Sequence, residues 1–418
     1  MIFRNVHTDH CPICKSNNTN LFLDLGNQPP ANDLKDSKTS ALNCSRFDLS
    51  LLICNDCLYV WLRETVQPEV LFSNNTYLTG VSNQTRDDMK SFAEDCIRTC
   101  NLSNGSDVLD IASNDGTLLS FFKKGGCRVI GVDPSRPAFE IAMTKGINTI
   151  NRMFDSDTRQ QILVTFGKMD LVSATNIITH VPYPEEFLIN CKYLLKTTGS
   201  LVLEFYNFES IISNSAFDQI YHEHISYFNF TTFSKLLKNV GLEAYKVEQV
   251  KSQGGSLRVF ISFTGSQIID KSVKTMLETE GGLDAIKSRY LLFPQKVAKI
   301  KRDASVLLEE KIRGGNRIAG YGASAKATVF LNFLNLSSSE IIAIADKSPI
   351  KQGKFIPGAA VPVVSPDELV KLNPKIIIIF AWNLRKEIRG LLKQIFAKGI
   401  DLITFMPEIS FLSTAQEV

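Results

Sequence analysis

The sequence predicts an α/β protein in three parts: an N-terminal zinc-binding domain, a central Rossmann-like domain and a C-terminal Rossmann-like domain. Three observations predict it. Two C-x-x-C pairs, Cys11/Cys14 and Cys54/Cys57, stand near the N-terminus. From Val108 onward strands alternate with helices, a pattern that demands a parallel sheet. A second βαβ unit opens at Arg317, after a long charged helical stretch. The expected boundaries are 1–72, 73–260 and 261–418.

Residues 1 to about 70 are rich in Asn, Cys and Pro, with short strands at Leu21–Leu25 and Leu49–Ile53. Residues 85–101 read as a helix, with Phe92, Ile97 and Leu102 among polar neighbours. Val108–Ala112 is a buried strand, followed by a helix over Gly116–Lys124. Arg128–Val132 is the next strand, Phe139–Lys145 is helical, and Met169–Ala174 is a third central strand. Leu201–Phe205 adds another strand, and Thr231–Val240 a helix that Gly241 stops. Residues 270–312 are helical and charged. The last part opens with strand Arg317–Tyr321, a helix from Ser324 and strand Ile341–Ala345; strand Lys375–Phe380 follows a Pro-rich loop.

Composition removes several classes of function. The 418 residues carry a net charge of only +3, and no Lys/Arg run interleaves with aromatics, so no nucleic-acid partner is expected. The longest apolar run, Ile376–Ala381, is strand-sized, so no membrane span is expected. Arg4, His7 and Asp9 interrupt any secretory apolar segment. Nine cysteines in a chain of this length suit reduced thiols in the cytoplasm better than a disulfide scaffold. A monomer or weak homo-oligomer is expected.

Cys11, Cys14, Cys54 and Cys57 can set four thiolates on a tetrahedron around zinc. Four protein ligands leave no open position, so the metal is structural. A redox C-x-x-C would open a helix after a strand and would not come twice. Cys44 is a spare that could replace one ligand.

The segment Val108-Leu-Asp-Ile-Ala-Ser-Asn-Asp-Gly116 runs a strand into a small-residue turn and then a helix, which lets the chain approach a ligand closely. Asp133, at the end of the next strand, can take both hydroxyls of a ribose. Asp110, Ala112, Asn114, Gly116 and Asp133 are the candidate cofactor residues. A pyrophosphate would ask for more glycine, so the turn favours S-adenosylmethionine over NAD. A plain strand–helix junction capped by Asn114 or Asp115 would look the same.

Two further stretches concentrate chemistry. Tyr221, Glu223 and His224 bring a phenol, a carboxylate and an imidazole together within four residues. Methylating carbon needs a carbanion equivalent, which a ketone supplies as an enolate if a base is near and the oxygen charge is stabilised. Here His224 can take the proton, Glu223 can raise its basicity or act as the base itself, and Tyr221 can donate to the enolate oxygen. The second stretch, Gly320-Tyr-Gly-Ala-Ser-Ala325 with Asp346 ending the following strand, taken alone is a dinucleotide fingerprint. It leaves open an NAD-dependent oxidoreductase or a bifunctional enzyme. A zinc-bearing interaction module with a dead methyltransferase is a third possibility, against which the intact Tyr221–His224 cluster argues.

Six motifs in this order carry a resemblance. They are the four cysteines, Asp110–Gly116, Asn-Ile-Ile-Thr-His-Val-Pro at 176–182, Phe-Asp-Gln-Ile-Tyr-His-Glu-His at 217–224, Gln-Gly-Gly-Ser-Leu-Arg at 253–258 and Gly-Tyr-Gly-Ala-Ser-Ala-Lys at 320–326. With them the chain resembles, over nearly its whole length, the sugar C-methyltransferases that act on nucleotide-linked 4-keto-deoxysugars. The resemblance implies an S-adenosylmethionine-dependent reaction, a nucleotide-diphosphate ketosugar substrate and His224 as the base. It implies that Tyr77, Asn176 and His180 line the sugar pocket. It also implies that the C-terminal unit covers the site and helps to hold the diphosphate, with Lys326 adding charge at a helix start.

Overall fold

The structure, a computed structural model, describes residues 10–67, 71, 79–81, 83–396 and 400–413. In its N-terminal part β1 (Thr19–Gln28), β2 (Phe47–Cys54) and β3 (Val60–Leu62) form an antiparallel meander. The two expected strands lie inside β1 and β2, which run longer. Two register irregularities in β1 interrupt its alternation and hide its length from a sequence reading.

The two cysteine turns are built alike. Cys11 N–H donates to Ser16 O and Lys15 N–H to Cys11 O; Cys54 N–H donates to Tyr59 O and Leu58 N–H to Cys54 O. Lys15 and Leu58, which close these turns, have φ of 62° and 61°. The four Sγ atoms lie within 4.8 Å of one another, with Cys11–Cys57 and Cys14–Cys54 each at 3.5 Å, and none is in a disulfide. Zn–S bonds of about 2.3 Å in a tetrahedron require sulfur–sulfur edges of about 3.8 Å. The cluster therefore fits zinc, and four thiolates close its coordination. Cys44 stands outside the group.

The central part contains β4 (Asp107–Ile111), β5 (Arg128–Val132), β6 (Thr149–Ile150), β7 (Met169–Thr175) and β8 (Leu195–Tyr206), all parallel. Here the chain leaves the sheet: β9 (Ser226–Tyr227) crosses to pair with β3 as the fourth strand of the N-terminal sheet. It then returns as the antiparallel hairpin β10 (Leu242–Val250) and β11 (Ser256–Phe263). The order is β10-β11-β8-β7-β4-β5-β6. Val108, Leu109, Leu171, Val172, Leu201 and Leu203 are fully buried, as strands covered on both faces require. The chain order reverses between β4 and β7, so a crevice opens beyond their C-terminal ends, where ligands bind in such sheets.

Sequence reading missed the β10–β11 hairpin, whose alternation is broken by a bulge between Ala244 and Lys246. It also missed the helix Ser156–Phe166, which buries only Thr158 and Ile162. The helical stretch 270–312 is two helices, Lys271–Glu280 and Gly282–Arg313, separated by Gly281 at φ 78°.

The C-terminal part has β12 (Ile318–Tyr321), β13 (Ile341–Ala345), β14 (Val363–Val364), β15 (Ile376–Ile379), β16 (Asp401–Thr404) and β17 (Ser410–Ser413). They lie in the order β14-β13-β12-β15-β16-β17, parallel except for β17. The three parts share cores. One apolar cluster joins Phe22 and Leu51 to Phe208, to Phe293 of the long helix, and to Ile318 and Phe330. A second joins Ile13, Tyr59 and Trp61 to Leu109, Phe205 and Phe233. No helix among the described residues is long and apolar enough to cross a membrane.

The closed thiolate cluster predicts one tightly bound zinc per chain. Because such sites couple metal to folding, Cys14→Ser is expected to lower both zinc content and soluble yield. Metal analysis of protein purified without chelator checks this, and an absence of zinc would end the assignment.

Candidate active site

The turn from β4 into the helix Thr117–Lys124 is strained. Ala112, Asn114 and Gly116 have φ of 57°, 49° and 71°. Left-handed non-glycine residues cost about 1–3 kcal/mol each and persist only where neighbours hold them. The holding group is Asp133 at the tip of β5. Its Oδ2 accepts from Asn114 N–H and its Oδ1 from Ser135 N–H, both at 2.8 Å. Gly131 lets the turn press onto β5, since a Cβ there would meet Ser113 Oγ at 2.3 Å. From outside, Thr79 N–H donates to Asn114 Oδ1 and Gly80 N–H to Asp115 Oδ2. Asp110 lies buried beneath the turn, accepting from Ser173 Oγ at 2.8 Å, and burial pushes its carboxyl up to about 7. The five expected cofactor residues therefore converge at the crevice. Each Asp133 oxygen accepts one backbone N–H and keeps a further lone pair.

Beyond β8 the chain forms the short turn Phe217–Gln219 and then the Tyr221–His224 run. Ile225 and Ser226 N–H both donate to Thr179 O, which seats this run against the loop after β7. His224 Nδ1 lies 2.8 Å from Gln219 O. A carbonyl only accepts, so Nδ1 carries the proton and Nε2 presents a lone pair. The His224 ring lies 4.0 Å from Tyr221 and 4.9 Å, edge-on, from His180. Burial, reinforced by His180 and by the Lys326 charge, pushes His224 down to about 3; burial pushes His180 down to about 4. Both are neutral imidazoles at neutral pH. Glu223 is buried, accepts from Asn32 Nδ2 at 2.8 Å, and is pushed up to about 7 by burial. The group that orients His224 is thus the Gln219 carbonyl, while Glu223 is held by Asn32. His222 points away and donates to Phe47 O. Asn176 follows β7 directly, at φ 55°, with its N–H on Glu204 O. Tyr77 lies outside the described residues.

Lys326 reaches the same cluster from the C-terminal part. Its Nζ donates to Asn383 Oδ1 at 3.1 Å and sits 5.7 Å from the Trp382 ring. Trp382 Nε1 donates to Asp218 Oδ2 at 3.0 Å. Burial pushes Asp218 up to about 7, opposed by the Lys326 charge, and burial pushes Lys326 down. Asp218 Oδ1 has no partner among the described residues. Asn32, Asp218 and Trp382 escaped the sequence reading. Asp218 stands inside the quoted 217–224 run, whereas nothing in the sequence ties Asn32 or Trp382 to it. Arg258, from the 253–258 motif, is structural: it pairs with buried Glu204 at 2.8–2.9 Å and with Asp95.

The glycines of the C-terminal fingerprint serve internal packing. A Cβ on Gly320 would meet the Phe380 ring at 2.5 Å, and one on Gly322 would meet Ala381 at 3.2 Å. Asp346 accepts from Ala323 and Ser348 N–H, and Lys351 bridges Asp346 and Ala323 O.

Removing the Asp133 carboxylate is expected to weaken S-adenosylmethionine binding by about 1–3 kcal/mol, the loss of hydrogen bonds to a charged group. Calorimetry on Asp133→Ala measures this, and wild-type affinity would remove Asp133 from the site.

Comparison with known proteins assigns the chain. Residues 11–72 match a family described as a zinc binding domain, residues 85–247 a methyltransferase domain, and residues 251–407 a C-methyltransferase C-terminal domain. The C-methyltransferase NovU of Streptomyces niveus is 28% identical over 407 residues, covering 97% of each chain. A ubiquinone biosynthesis O-methyltransferase of Glaesserella parasuis is 28% identical over 25% of this chain and 46% of its own. Among solved structures, the magnesium protoporphyrin IX methyltransferase of Synechocystis with bound SAM aligns at TM-score 0.32 and 15% identity, over 43% of this chain and 79% of its own. A S-adenosylmethionine-dependent methyltransferase of Clostridium acetobutylicum aligns at TM-score 0.34 and 16% identity, over 44% and 94%. With the three domain families in succession and one relative matched from end to end, the chain belongs to the zinc-bearing, S-adenosylmethionine-dependent C-methyltransferases.

Proposed function

We propose that the enzyme methylates a nucleotide-diphosphate 4-keto-6-deoxysugar at C3, next to the ketone, in the making of a branched deoxysugar. The observation that carries this reading is the state of His224: a neutral imidazole, its Nδ1–H locked on Gln219 O, its Nε2 lone pair without a partner among the described residues and its ring beside Tyr221. Such a group removes a proton from carbon only when the charge left behind is stabilised nearby. A lone imidazolium is disfavoured here by burial. One formed next to the enolate it has created is half of an ion pair. Tyr221, whose phenol burial and Glu223 keep protonated, donates to the enolate oxygen. Glu223 balances the imidazolium and is the alternative base. When bound, S-adenosylmethionine supplies the electrophilic methyl group that the enolate carbon takes. Tyr77, Asn176 and His180 hold the sugar, and Lys326 contributes positive charge towards the diphosphate from the C-terminal side.

The rival reading, hydride transfer on NAD at the C-terminal unit, lacks support because Phe380, Ala381 and Lys351 use the fingerprint positions themselves. A reducing, cytoplasmic setting suits the nine free cysteines.

General-base catalysis contributes about 10²–10⁴-fold, so His224→Ala is expected to lower kcat within that range while S-adenosylmethionine still binds. Deuterium from solvent gives the sharper readout. Without cofactor the wild type is expected to wash label into the carbon beside the ketone, and His224→Ala to do so far more slowly. Exchange at the wild-type rate in the mutant would move the base elsewhere, with Glu223 next in line.

A pH profile separates the two groups. Glu223 is protonated below about 7 and ionised above it, whereas His224 stays neutral down to about 3. If the ionised carboxylate is the working form, kcat falls as pH drops through about 7. Glu223→Gln removes that limb together with most of the activity. A wild-type profile that stays flat across this region would exclude an ionised Glu223 from the mechanism.

A further inference from the structure

The segment after β1 leaves the N-terminal sheet and runs into the junction between the other two parts. It is fixed there at both ends. Ala31 O accepts from Thr328 Oγ1 at 2.8 Å, on the C-terminal helix Ala325–Phe333 that carries Lys326. Lys35 and Phe355 exchange N–H···O bonds of 2.9 and 2.7 Å, a two-bond bridge to the C-terminal part. Between these anchors Asp33 N–H donates to Pro30 O and Leu34 N–H to Asn32 O, so the strap is a tight turn with Asn32 at its bend. Asn32 is exposed, yet its amide is aimed at one buried acceptor, Glu223 Oε1 at 2.8 Å, 191 residues away in sequence. An exposed side chain holds one direction only when its backbone is held, and here two contacts to another part of the molecule hold it.

We propose that Asn32, supplied by the zinc-binding part, is a positioning residue for methyl transfer: it holds Oε1 of Glu223 and so turns Oε2 to the reacting groups. The inference rests on the reading of Glu223 as a member of the reacting cluster. The Glu223 carboxylate accepts from Asn32 and its charge acts on Tyr221, while His180, from the loop after β7, meets the Glu223 backbone. Asp218 also acts on Tyr221, and the Lys326 charge acts on His224. Among these, Asn32 is the group whose hydrogen bond favours the ionised carboxylate, against the burial that disfavours it. The bond makes the carboxylate's orientation and its charge state depend on the seating of the strap between the other two parts.

The test uses the full-length, zinc-loaded enzyme with Asn32→Ala, Asn32→Gln and Glu223→Gln. Zinc content and S-adenosylmethionine affinity equal to wild type show that each variant is folded. The carboxylate infrared band of Glu223, assigned by its loss in Glu223→Gln, is followed against pH. In Asn32→Ala its midpoint is expected to move upward, and in Asn32→Gln, which keeps an amide donor, to move back towards wild type. With a thymidine-diphosphate 4-keto-6-deoxyhexose as probe, Asn32→Ala is expected to lose about tenfold or more in kcat. Its KM for S-adenosylmethionine should stay near wild type, and the acid limb of its pH profile should move up in step with the infrared midpoint. A midpoint unmoved by Asn32→Ala overturns the proposal whatever the turnover. So does wild-type kcat in Asn32→Ala when Glu223→Gln is inactive. Full activity in Glu223→Gln would instead overturn the role given to Glu223, and that outcome is distinct from both.

Discussion

A ladder of two residues carries much of this molecule's logic. Ser226 and Tyr227 pair with Trp61 and Val60, and Leu62 N–H adds a bond to Ile225 O. A strand of that length has no stability of its own, so its place is set by what flanks it. On one side is the thiolate cluster: Cys57 O accepts from Thr232 Oγ1, and Tyr59 OH meets Ser226 Oγ at 2.6 Å. On the other is Thr179 O, which receives the N–H groups of Ile225 and Ser226. His224 and Glu223 immediately precede this ladder. The thiolate cluster therefore lies far in sequence from the proposed base, but only a few bonds from it in structure.

The same economy explains the charges. The Tyr221–His224 region draws together three imidazoles (His180, His222 and His224), two carboxyls (Asp218 and Glu223) and a lysine (Lys326), with few direct partners. Burial is the main force driving each towards its uncharged form, the histidines down and the acids up, with His180 and the Lys326 charge adding to it at His224. Such an arrangement is costly for a resting protein, and it suits the proton transfer proposed for His224, because little reorganisation is needed when charge develops. Lys326 and Asp218, brought by different parts of the chain, give this region a field that neither part has alone.

Much of this was legible in the sequence where the signal is local. The cysteine pairs, the strained turn after β4, the acid ending β5 and the Tyr221–His224 run each sit within a few residues, and backbone geometry does the rest. Tertiary pairing left no such mark. β9 is too short to show a period, the bulge in β10 breaks one, and Asn32 reaches Glu223 only because its strap is clamped by Thr328 and Phe355. Lys326 illustrates the division. Its position at a helix start was readable, whereas its packing over Trp382 and its closeness to Asp218 depend on how the C-terminal sheet docks.

The crossing of β9 has a consequence for how the chain can be divided. Cut between residues 67 and 83, the N-terminal piece would keep its metal ligands but lose its outer strand, leaving β3 as an open edge able to pair with other chains. Its apolar face, including Phe22 and Trp61, would lose the helices and sheets that cover it. The first two regions are thus held together by the β3–β9 pairing and by shared cores as well as by the chain that joins them. A nicked protein should remain a tight two-fragment complex, whereas the isolated N-terminal fragment should aggregate.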